Sequence, residues 1–380
     1  MDNSVKLSLA HMGGREQYWI DQAFKTGWIV PLGPNVDEFE RLLGDYLGAP
    51  GRVVALSAGT AALHLGLVML GVEPGDEVIC QSFTFSASAN PVKYMGATPV
   101  FVGSEKDTWN MDPAVLDECI ADRVAQTGRK PKAIIPVHLY GMPAKMKEIL
   151  AVADKWEIPV LEDAAEALGS ELDGHKCGTF GRFAALSFNG NKIITTSGGG
   201  ALVCPDAESA TRVKFYATQA RENRPYYYHE VIGYNYRLSN VCAGIGVGQM
   251  EVLDEHVARR REIHGLYKQL LSEAQWIKVM DNPSLNFASN FWLSTITIDS
   301  KTGRTPDELR LFLAEKEIES RLLWRPMHMQ PVFADAPYYG AGGVEEQLFD
   351  TGLCLPSGSG LSDAQIERVA RTIIDFGGKQ

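Results

Sequence analysis

The chain contains, at residues 187–200, the segment SFNGNKIITTSGGG. This segment places one lysine, Lys192, in a polar, glycine-flanked stretch between two short apolar runs. Burial makes a lysine lose its proton more readily, and the neutral amine is the form that attacks a carbonyl carbon. A lysine beside a glycine turn is also often no more than a solvated charge. Lys192 is therefore a candidate for Schiff-base formation that needs support from elsewhere in the chain.

Asp163 supplies that support, because it lies where a predicted buried strand ends. Residues 158–161 form a short apolar run, and LEDAAE follows at 161–166. In open α/β sheets, ligands bind outside the carboxyl ends of the strands. Pyridoxal phosphate needs a lysine for its aldehyde and an acid for its ring nitrogen, and Lys192 and Asp163 are of those types. A helix N-cap before Ala164 is an equally good interpretation of Asp163 taken alone.

A candidate phosphate site follows another predicted strand. Residues 53–56 indicate a strand and residues 60–70 a helix. Gly59 and Thr60 then present backbone N–H groups and a hydroxyl at the positive end of that helix, where anions bind. An ordinary helix start fits the same residues when they are considered alone.

In this order, the segments resemble the DegT/DnrJ/EryC1/StrS family of nucleotide-sugar aminotransferases. The resemblance covers nearly the whole chain, and it includes WIVPLGP at 28–34, VHLYG at 137–141, EDAAE at 162–166, GYNYRLSN at 233–240, RPMH at 325–328 and CLPS at 354–357. It implies an α/β protein of the fold-type I, aspartate aminotransferase-like class. Such a protein has a mostly parallel sheet flanked by helices, plus a smaller α+β C-terminal domain. The implied cofactor is pyridoxal 5′-phosphate.

The resemblance also implies roles for individual residues. Lys192 would bond covalently to the cofactor aldehyde and later move the substrate proton, while Asp163 would keep the ring nitrogen protonated. The other implied cofactor contacts are a stacking ring, Phe85, and a phosphate site made of Gly59, Thr60 and Ser187.

A shared active site is implied by Asn235, which matches an asparagine that reaches the phosphate of the partner subunit in this family. We therefore expect a homodimer; a structural turn asparagine is the alternative. Arg237 and His328 fall in segments that line the substrate cleft of the family, and a satisfied core histidine is an equally good interpretation of His328.

Within the family, the chain most resembles aminotransferases of the UDP-bacillosamine pathway type. These enzymes aminate carbon 4 of a UDP-linked 4-keto-6-deoxy-N-acetylhexosamine for bacterial polysaccharide biosynthesis, and glutamate is the expected amino donor. The segments that indicate this are HMGG at 11–14, TTSGGG at 195–200 and TQAREN at 218–223. The alternatives are an aminotransferase of a GDP-perosamine type or 3-keto sugar nucleotide, a pyridoxal phosphate-dependent sugar dehydratase, and a non-catalytic sugar-nucleotide-binding protein. Related dehydratases have histidine at the lysine position, so Lys192 favours transamination.

Composition narrows the class of protein further. The chain has 380 residues, of which 45% are hydrophobic, and its net charge of −11 argues against a nucleic-acid or membrane-surface role. Its six cysteines and eight histidines show no ligand spacing, so we predict no metal and reduced thiols. A basic and apolar leader is not evident at the N-terminus, and we expect a cytoplasmic protein.

The pattern of elements predicts two domains. Short apolar runs at 77–81, 98–102 and 133–137 alternate with helical periodicity such as that of residues 143–156, which favours a mostly parallel sheet covered on both faces. Residues 249–271 predict one long charged helix leading into a smaller domain. We therefore expect a large cofactor-binding domain at 1–250 and a small domain at 251–380.

Overall fold

The computed structural model describes residues 4–378, which form twelve α-helices and fifteen β-strands. The helices are α1 (Glu16–Thr26), α2 (Pro34–Leu47), α3 (Gly59–Met69), α4 (Asn90–Tyr94), α5 (Pro113–Thr127), α6 (Met146–Trp156), α7 (Ala207–Ala217), α8 (Asn240–Met250), α9 (Leu253–Leu270), α10 (Pro306–Glu315), α11 (Val344–Thr351) and α12 (Asp363–Gly377). The strands are β1 (Val53–Leu56), β2 (Glu77–Gln81), β3 (Thr98–Val102), β4 (Ala133–Ile135), β5 (Leu161–Asp163), β6 (Glu171–Leu172), β7 (His175–Lys176), β8 (Phe183–Ser187), β9 (Gly200–Val203), β10 (Ile277–Val279), β11 (Phe287–Ala288), β12 (Thr295–Ile298), β13 (Arg321–Leu322), β14 (Tyr338–Tyr339) and β15 (Gly352–Cys354).

The central sheet has the strand order β1-β9-β8-β5-β4-β2-β3-β14. Parallel bridges between Ile134 and Val160 and between Val137 and Asp163 join β4 to β5. Strand β9 is antiparallel to both its neighbours, whereas the remaining neighbouring pairs are parallel. The sheet is therefore mostly parallel, as the alternation of apolar runs predicted.

Helices cover both faces of this sheet. In β1, Val53 and Ala55 pack in one core with α2 and α8, while Val54 and Leu56 pack in another with α3 and α7. A strand buried on both faces reads as a continuous apolar run, which explains why the sequence pattern located it correctly.

The strand predicted at residues 158–161 lies further along the chain, at Leu161–Asp163. The N–H of Ile158 donates to Ala153 O and ends helix α6, and Pro159 has no N–H to donate to a ladder. The strand therefore begins later, and Asp163 is its last residue, at the carboxyl edge of the sheet.

A second, antiparallel sheet has the order β10-β12-β15-β13. Its core contains residues of α9, α10 and α12, and also Val5, which forms a parallel bridge to Ile318. In contrast, Met327 and Phe333 pack in the core of the central sheet, and β14 extends that sheet beside β3. The division into residues 1–250 and 251–380 stays a prediction, and the segment around 327–339 packs with the larger core.

The long helix predicted at 249–271 is interrupted. Helix α8 ends at Met250 and α9 begins at Leu253, because Val252 leaves the helical conformation and its N–H bonds to Gln249 O. The side chain of Val252 packs against Gly13, where an added Cβ would lie 2.6 Å from Val252 Cγ2. Over residues 4–378, each helix is too short or too polar to cross a bilayer.

Candidate active site

Lys192 lies in the loop between β8 and β9, and its side chain is only 14% exposed. Its Nζ is 3.3 Å from Glu166 Oε1 and 4.0 Å from the centre of the Trp292 ring. A carboxylate and an aromatic face both stabilise a positive charge. The Lys192 side chain is therefore mostly enclosed by the protein and contacts Glu166 and Trp292, and it is not a solvated surface charge.

Asp163 is almost fully buried at the end of β5. Burial raises the pKa of its carboxyl group, while hydrogen bonds from Ser88 Oγ (2.7 Å) and the Ala165 N–H (3.1 Å) offset part of that effect. The nearby charge of Lys192 acts in the same direction as these bonds. The bond from Ala165 means that Asp163 does cap the following turn, but its second oxygen is held separately by Ser88.

Glu166 lies beside these two residues, and the sequence alone had not indicated a role for it. Burial raises the pKa of Glu166, and Lys192 and the N–H of Tyr140, at 2.7 Å from Oε2, oppose that rise. Its position within the EDAAE segment was the available signal. The site thus contains one amine and two buried carboxyl groups, which is a suitable set for holding and moving protons.

Phe85, which is 52% exposed, is the outermost of three aromatic residues that contact one another, with Trp324 and Tyr140. The ring centre of Phe85 is 5.3 Å from that of Trp324, and the Trp324 and Tyr140 rings are stacked at 6.1 Å. Phe85 immediately precedes the short helix Ser86–Ser88, which carries the serine that binds Asp163. Phe85 therefore stands near Asp163 with an open face, as expected of a ring that stacks on a flat ligand.

The predicted phosphate site is a narrow cradle at the N-terminus of α3. Gly59 begins this helix, and no side chain among residues 4–378 caps it. A Cβ on Gly59 would lie 3.0 Å from Ser187 Cβ, and Ser187 pairs with Gly200 across β8 and β9. Thr60 is half-buried in the first turn. Free N–H groups, two hydroxyls and the helix dipole together favour an anion here.

Replacing Gly200 with alanine is expected to damage this cradle. The new Cβ would lie 2.4 Å from Gly59 N and 2.5 Å from Ala58 C, so the backbone of the helix start must shift. We expect a loss of about 1–3 kcal/mol of stability from the overpacking and at least about tenfold weaker binding of the phosphate-bearing cofactor. Thermal unfolding and cofactor titration measure both. Gly198→Ala is the control, since nothing in the described range 4–378 lies within 4 Å of its Cβ position; equal cofactor affinity in the two variants contradicts the assignment.

Asn235 and Arg237 lie together on the surface. They line a cleft of about 550 Å³ with residues 31–32, 217–219, Arg221, Tyr227 and His229, and neither Lys192 nor Asp163 belongs to its lining. Asn235 is exposed, and the buried Nε of Arg237 has no partner within residues 4–378. The backbone of Arg237 forms a bridge to Leu56, just before the α3 cradle.

His328 is held by neighbours on both sides of its ring. Its Nδ1 is 2.7 Å from Ser82 Oγ, its Nε2 is 3.1 Å from Glu346 Oε1, and its ring stacks on Tyr338 at 3.7 Å. This geometry fits the satisfied core histidine that the sequence left open. A role in the substrate cleft stays a prediction.

Two groups of side chains within residues 4–378 have donor atoms that all lie within 4.8 Å of one another, which sequence spacing could not reveal: His138, Glu162 and Cys177, and His328, Glu345 and Glu346. In the first, Glu162 accepts hydrogen bonds from the N–H groups of Gly178, Phe180 and Gly181 and from His138. This carboxylate therefore ties the turn after β7 to β5 through hydrogen bonds. The absence of a metal stays a prediction.

Known proteins resemble the chain over nearly its whole length. The sequence profile of the DegT/DnrJ/EryC1/StrS aminotransferase family matches residues 11–374. The chain belongs to this family. EpsN of Bacillus subtilis strain 168, provisionally named a pyridoxal phosphate-dependent aminotransferase, is 48% identical over 377 residues, covering 98% of this chain and 96% of EpsN. GDP-perosamine synthase of Caulobacter vibrioides is 38% identical over 370 residues, covering 96% of each chain. A crystal structure of a DegT DnrJ EryC1 StrS aminotransferase from Brucella abortus matches with a TM-score of 0.89 at 32% identity, covering 96% of each chain.

Membership of the DegT/DnrJ/EryC1/StrS family confirms two expectations. The fold is that of fold-type I pyridoxal phosphate-dependent aminotransferases, with a mostly parallel sheet flanked by helices. Aminotransferases of this family depend on pyridoxal 5′-phosphate, the cofactor expected from the sequence. The residues present fit this cofactor: a buried amine and a buried carboxylate lie at one end of the sheet, where Gly59 and Gly200 leave no room for a side chain beside the helix start.

Proposed function

We propose that this protein is a nucleotide-sugar aminotransferase that moves an amino group from glutamate to carbon 4 of a UDP-linked 4-keto-6-deoxy-N-acetylhexosamine. The observation that carries the proposal is the placement of Lys192, Glu166 and Asp163 at the edge of the sheet that also bears the uncapped start of α3. This arrangement offers an amine nucleophile, an acid for a ring nitrogen and an anion cradle within one site. An aminotransferase needs all three.

In this proposal the side chains divide the work. Lys192 would bond to the cofactor aldehyde, Asp163 would pair with the protonated ring nitrogen, Phe85 would stack on the ring, and the cradle of Gly59, Thr60 and Ser187 would hold the phosphate. When bound, the cofactor would supply an aldehyde carbon that accepts the amino group and a ring that withdraws electrons from the C–H bond of the donor. The Lys192 amine would take the proton from that C–H bond and return it, and Glu166, 3.3 Å away, would keep the amine oriented.

The shared site of a homodimer is the second part of the proposal. The cleft around Asn235 is bordered by exposed apolar side chains, among them Leu32, Tyr227 and Ile232, which are 47%, 81% and 84% exposed. Apolar patches of this kind mark interaction sites on soluble proteins. An exposed Asn235 within such a patch is free to reach the phosphate cradle of a second copy.

Replacing Asn235 with alanine is expected to weaken cofactor binding and leave folding unchanged. Loss of one hydrogen bond to a charged phosphate costs about 1.5–3 kcal/mol, or roughly tenfold to hundredfold in affinity. Asn286→Ala, another exposed asparagine, is the control. Cofactor titration measures the effect, and unchanged affinity removes the cross-subunit role.

Mixing experiments test the shared site directly. A heterodimer of Lys192→Ala and Asn235→Ala subunits contains one site with both residues intact, so at a cofactor concentration that saturates the wild type but not Asn235→Ala, mixing the two variants should raise activity above that of either alone. If activity in the mixture only averages the two, each subunit uses its own residues.

The substrate is tested with purified protein, glutamate and a panel of keto-sugar nucleotides, with products identified by mass and NMR. We expect amino transfer to carbon 4 of the UDP-linked N-acetylhexosamine. A GDP-linked 4-keto sugar is the second candidate, because the chain is 38% identical to a GDP-perosamine synthase. Preference for the GDP sugar or for a 3-keto sugar rejects the UDP assignment, and water loss without amino transfer supports a dehydratase.

A further inference from the structure

Arg260 is a buried arginine without an acidic partner. It lies on α9, is 1% exposed, and forms no ion pair with any carboxylate in the described part of the chain. Burial lowers the pKa of its guanidinium to about 9. A buried charge that lacks a counter-charge is costly, and such a group persists where its hydrogen bonds hold something in place.

The neighbouring arginines on α9 are bound differently. Arg259 pairs with Glu262 and Asp363 at the surface. Arg261 is exposed and donates to three backbone carbonyls, those of Gly169, Ala288 and Ser289. Arg261 therefore makes the same kind of bond as Arg260, but to Gly169 and to the residues just before Trp292 instead of to Trp292 and Lys192, and it serves as a matched comparison.

The bonds of Arg260 converge on the segment that carries Lys192. Its Nη2 donates to Lys192 O (3.4 Å) and to Ser8 Oγ (3.1 Å), and its Nη1 donates to Trp292 O (2.5 Å) and Ser357 O (3.0 Å). The side chains of Lys192 and Trp292 are also in contact, with Lys192 Nζ 4.0 Å from the centre of the Trp292 ring. The guanidinium of Arg260 thus binds the backbone carbonyls of both Lys192 and Trp292, the residue whose ring the lysine amine contacts.

Further bonds close this network. Ser8 Oγ, itself bound by Arg260, donates to Asn191 O at 2.8 Å, and Trp292 Nε1 donates to the same oxygen at 2.6 Å. The carbonyl group before Lys192 and that of Lys192 itself are therefore both hydrogen-bonded, either to Arg260 or to residues that Arg260 binds. A guanidinium presents five donors in a rigid plane and can bind acceptors in several fixed directions, whereas a lysine ammonium has only three donors on a flexible stem.

We propose that Arg260 is a positioning residue for Lys192, which aims the amine at the cofactor aldehyde by clamping the backbones of Lys192 and Trp292. The inference rests on the proposed role of Lys192 in binding pyridoxal phosphate. In the described part of the chain, the hydrogen bonds of Arg260 go to Ser8, Lys192, Trp292 and Ser357 and not to Gly59 or Ser187 of the cradle. Its loss should therefore slow bond formation at Nζ without weakening attachment of the phosphate.

Two ligands separate these effects in the full-length protein. Pyridoxal phosphate reports the rate at which the covalent bond to the lysine forms, followed by visible absorbance. The analogue 4-deoxypyridoxine 5′-phosphate has the ring and phosphate but no aldehyde, so its affinity reports the ring and phosphate contacts without the covalent bond. The variants are Arg260→Met, which keeps an apolar stem, and Arg260→Lys, which keeps a charge. Arg261→Met is the control.

We expect both Arg260 variants to form the covalent bond about 10- to 100-fold more slowly, the loss that a misplacement of roughly 1 Å produces, while affinity for the deoxy analogue stays within about twofold. Arg261→Met should leave both unchanged. A parallel fall in rate and analogue affinity in Arg260→Lys shows a general structural role and overturns the proposal, as does an unaltered rate. If Arg260→Met does not fold, Arg260→Lys decides alone. Failure of the wild-type protein to form any covalent bond rejects the proposed function instead.

Discussion

Replacing Lys192 with alanine is expected to lower kcat for amino transfer by at least about 10³-fold, because the variant loses both the nucleophile and the group that moves the proton. The change removes a side chain that contacts Glu166 and Trp292 and leaves their backbone bonds intact. Folding should persist. The phosphate cradle and Phe85 are untouched, so the variant should still bind the cofactor, without a covalent bond.

Lys176→Ala is the matched control for this experiment. Lys176 also pairs with a carboxylate, Glu171 at 3.1 Å, and also rests on a ring, that of Tyr46 at 4.1 Å. It differs in lying on β7, outside the cluster of Lys192, Glu166 and Asp163. Turnover by both variants with a purified keto-sugar nucleotide gives the comparison. Full activity in Lys192→Ala means that another amine performs the chemistry.

Replacing Asp163 with asparagine is expected to lower kcat by about 10²–10³-fold, the range found when one preorganised electrostatic partner is removed from an active site. An amide has the same shape: its oxygen can still accept from the Ala165 N–H while its NH2 group donates to Ser88 Oγ, but it carries no charge to keep a ring nitrogen protonated. The expected signature is a loss in kcat with a small change in cofactor affinity.

The same variant should not destabilise the cofactor-free protein. Because burial raises the pKa of Asp163, folding favours its protonated form, and stability from this group is lost as pH rises through the raised pKa. A neutral amide removes this cost, so the thermal midpoint at neutral pH should be equal or higher. Asp112→Asn is the control, since Asp112 accepts from the Ala114 N–H at 2.8 Å as a helix cap and stands outside the site. A large fall in the midpoint, or unaltered turnover, shows that Asp163 is only a cap.

The local sequence pattern was sufficient to predict elements and candidate residues whose positions follow from their immediate neighbours in the chain. Val53–Leu56 is buried on both faces, so its apolar run marked a strand, and the glycine after it marked a helix start. Lys192 and Asp163 became candidates because each lies at the end of a strand or in a glycine-flanked loop, and the structure brings the two near each other. Where a proline or a β-branched residue interrupts an element, as at Pro159 and Val252, periodicity placed the boundary wrongly.

Long-range packing was not visible in the sequence. Trp292 is 100 residues from Lys192, and Ser88 is 75 residues from Asp163, so no local pattern links them. Arg260 stands in a run of three arginines that reads as a solvated face. Only the structure shows that the middle one is buried behind the lysine loop. Such contacts depend on the tertiary fold and not on any periodicity.

The most direct measurement is borohydride reduction of the protein loaded with pyridoxal phosphate, followed by peptide mass spectrometry. Reduction makes any bond between an amine and the cofactor aldehyde permanent. The pyridoxyl group should be found on the peptide that contains Lys192 and should be absent from the Lys192→Ala variant. An active protein whose label lies on another lysine, or that takes up no label, contradicts the assignment of Lys192.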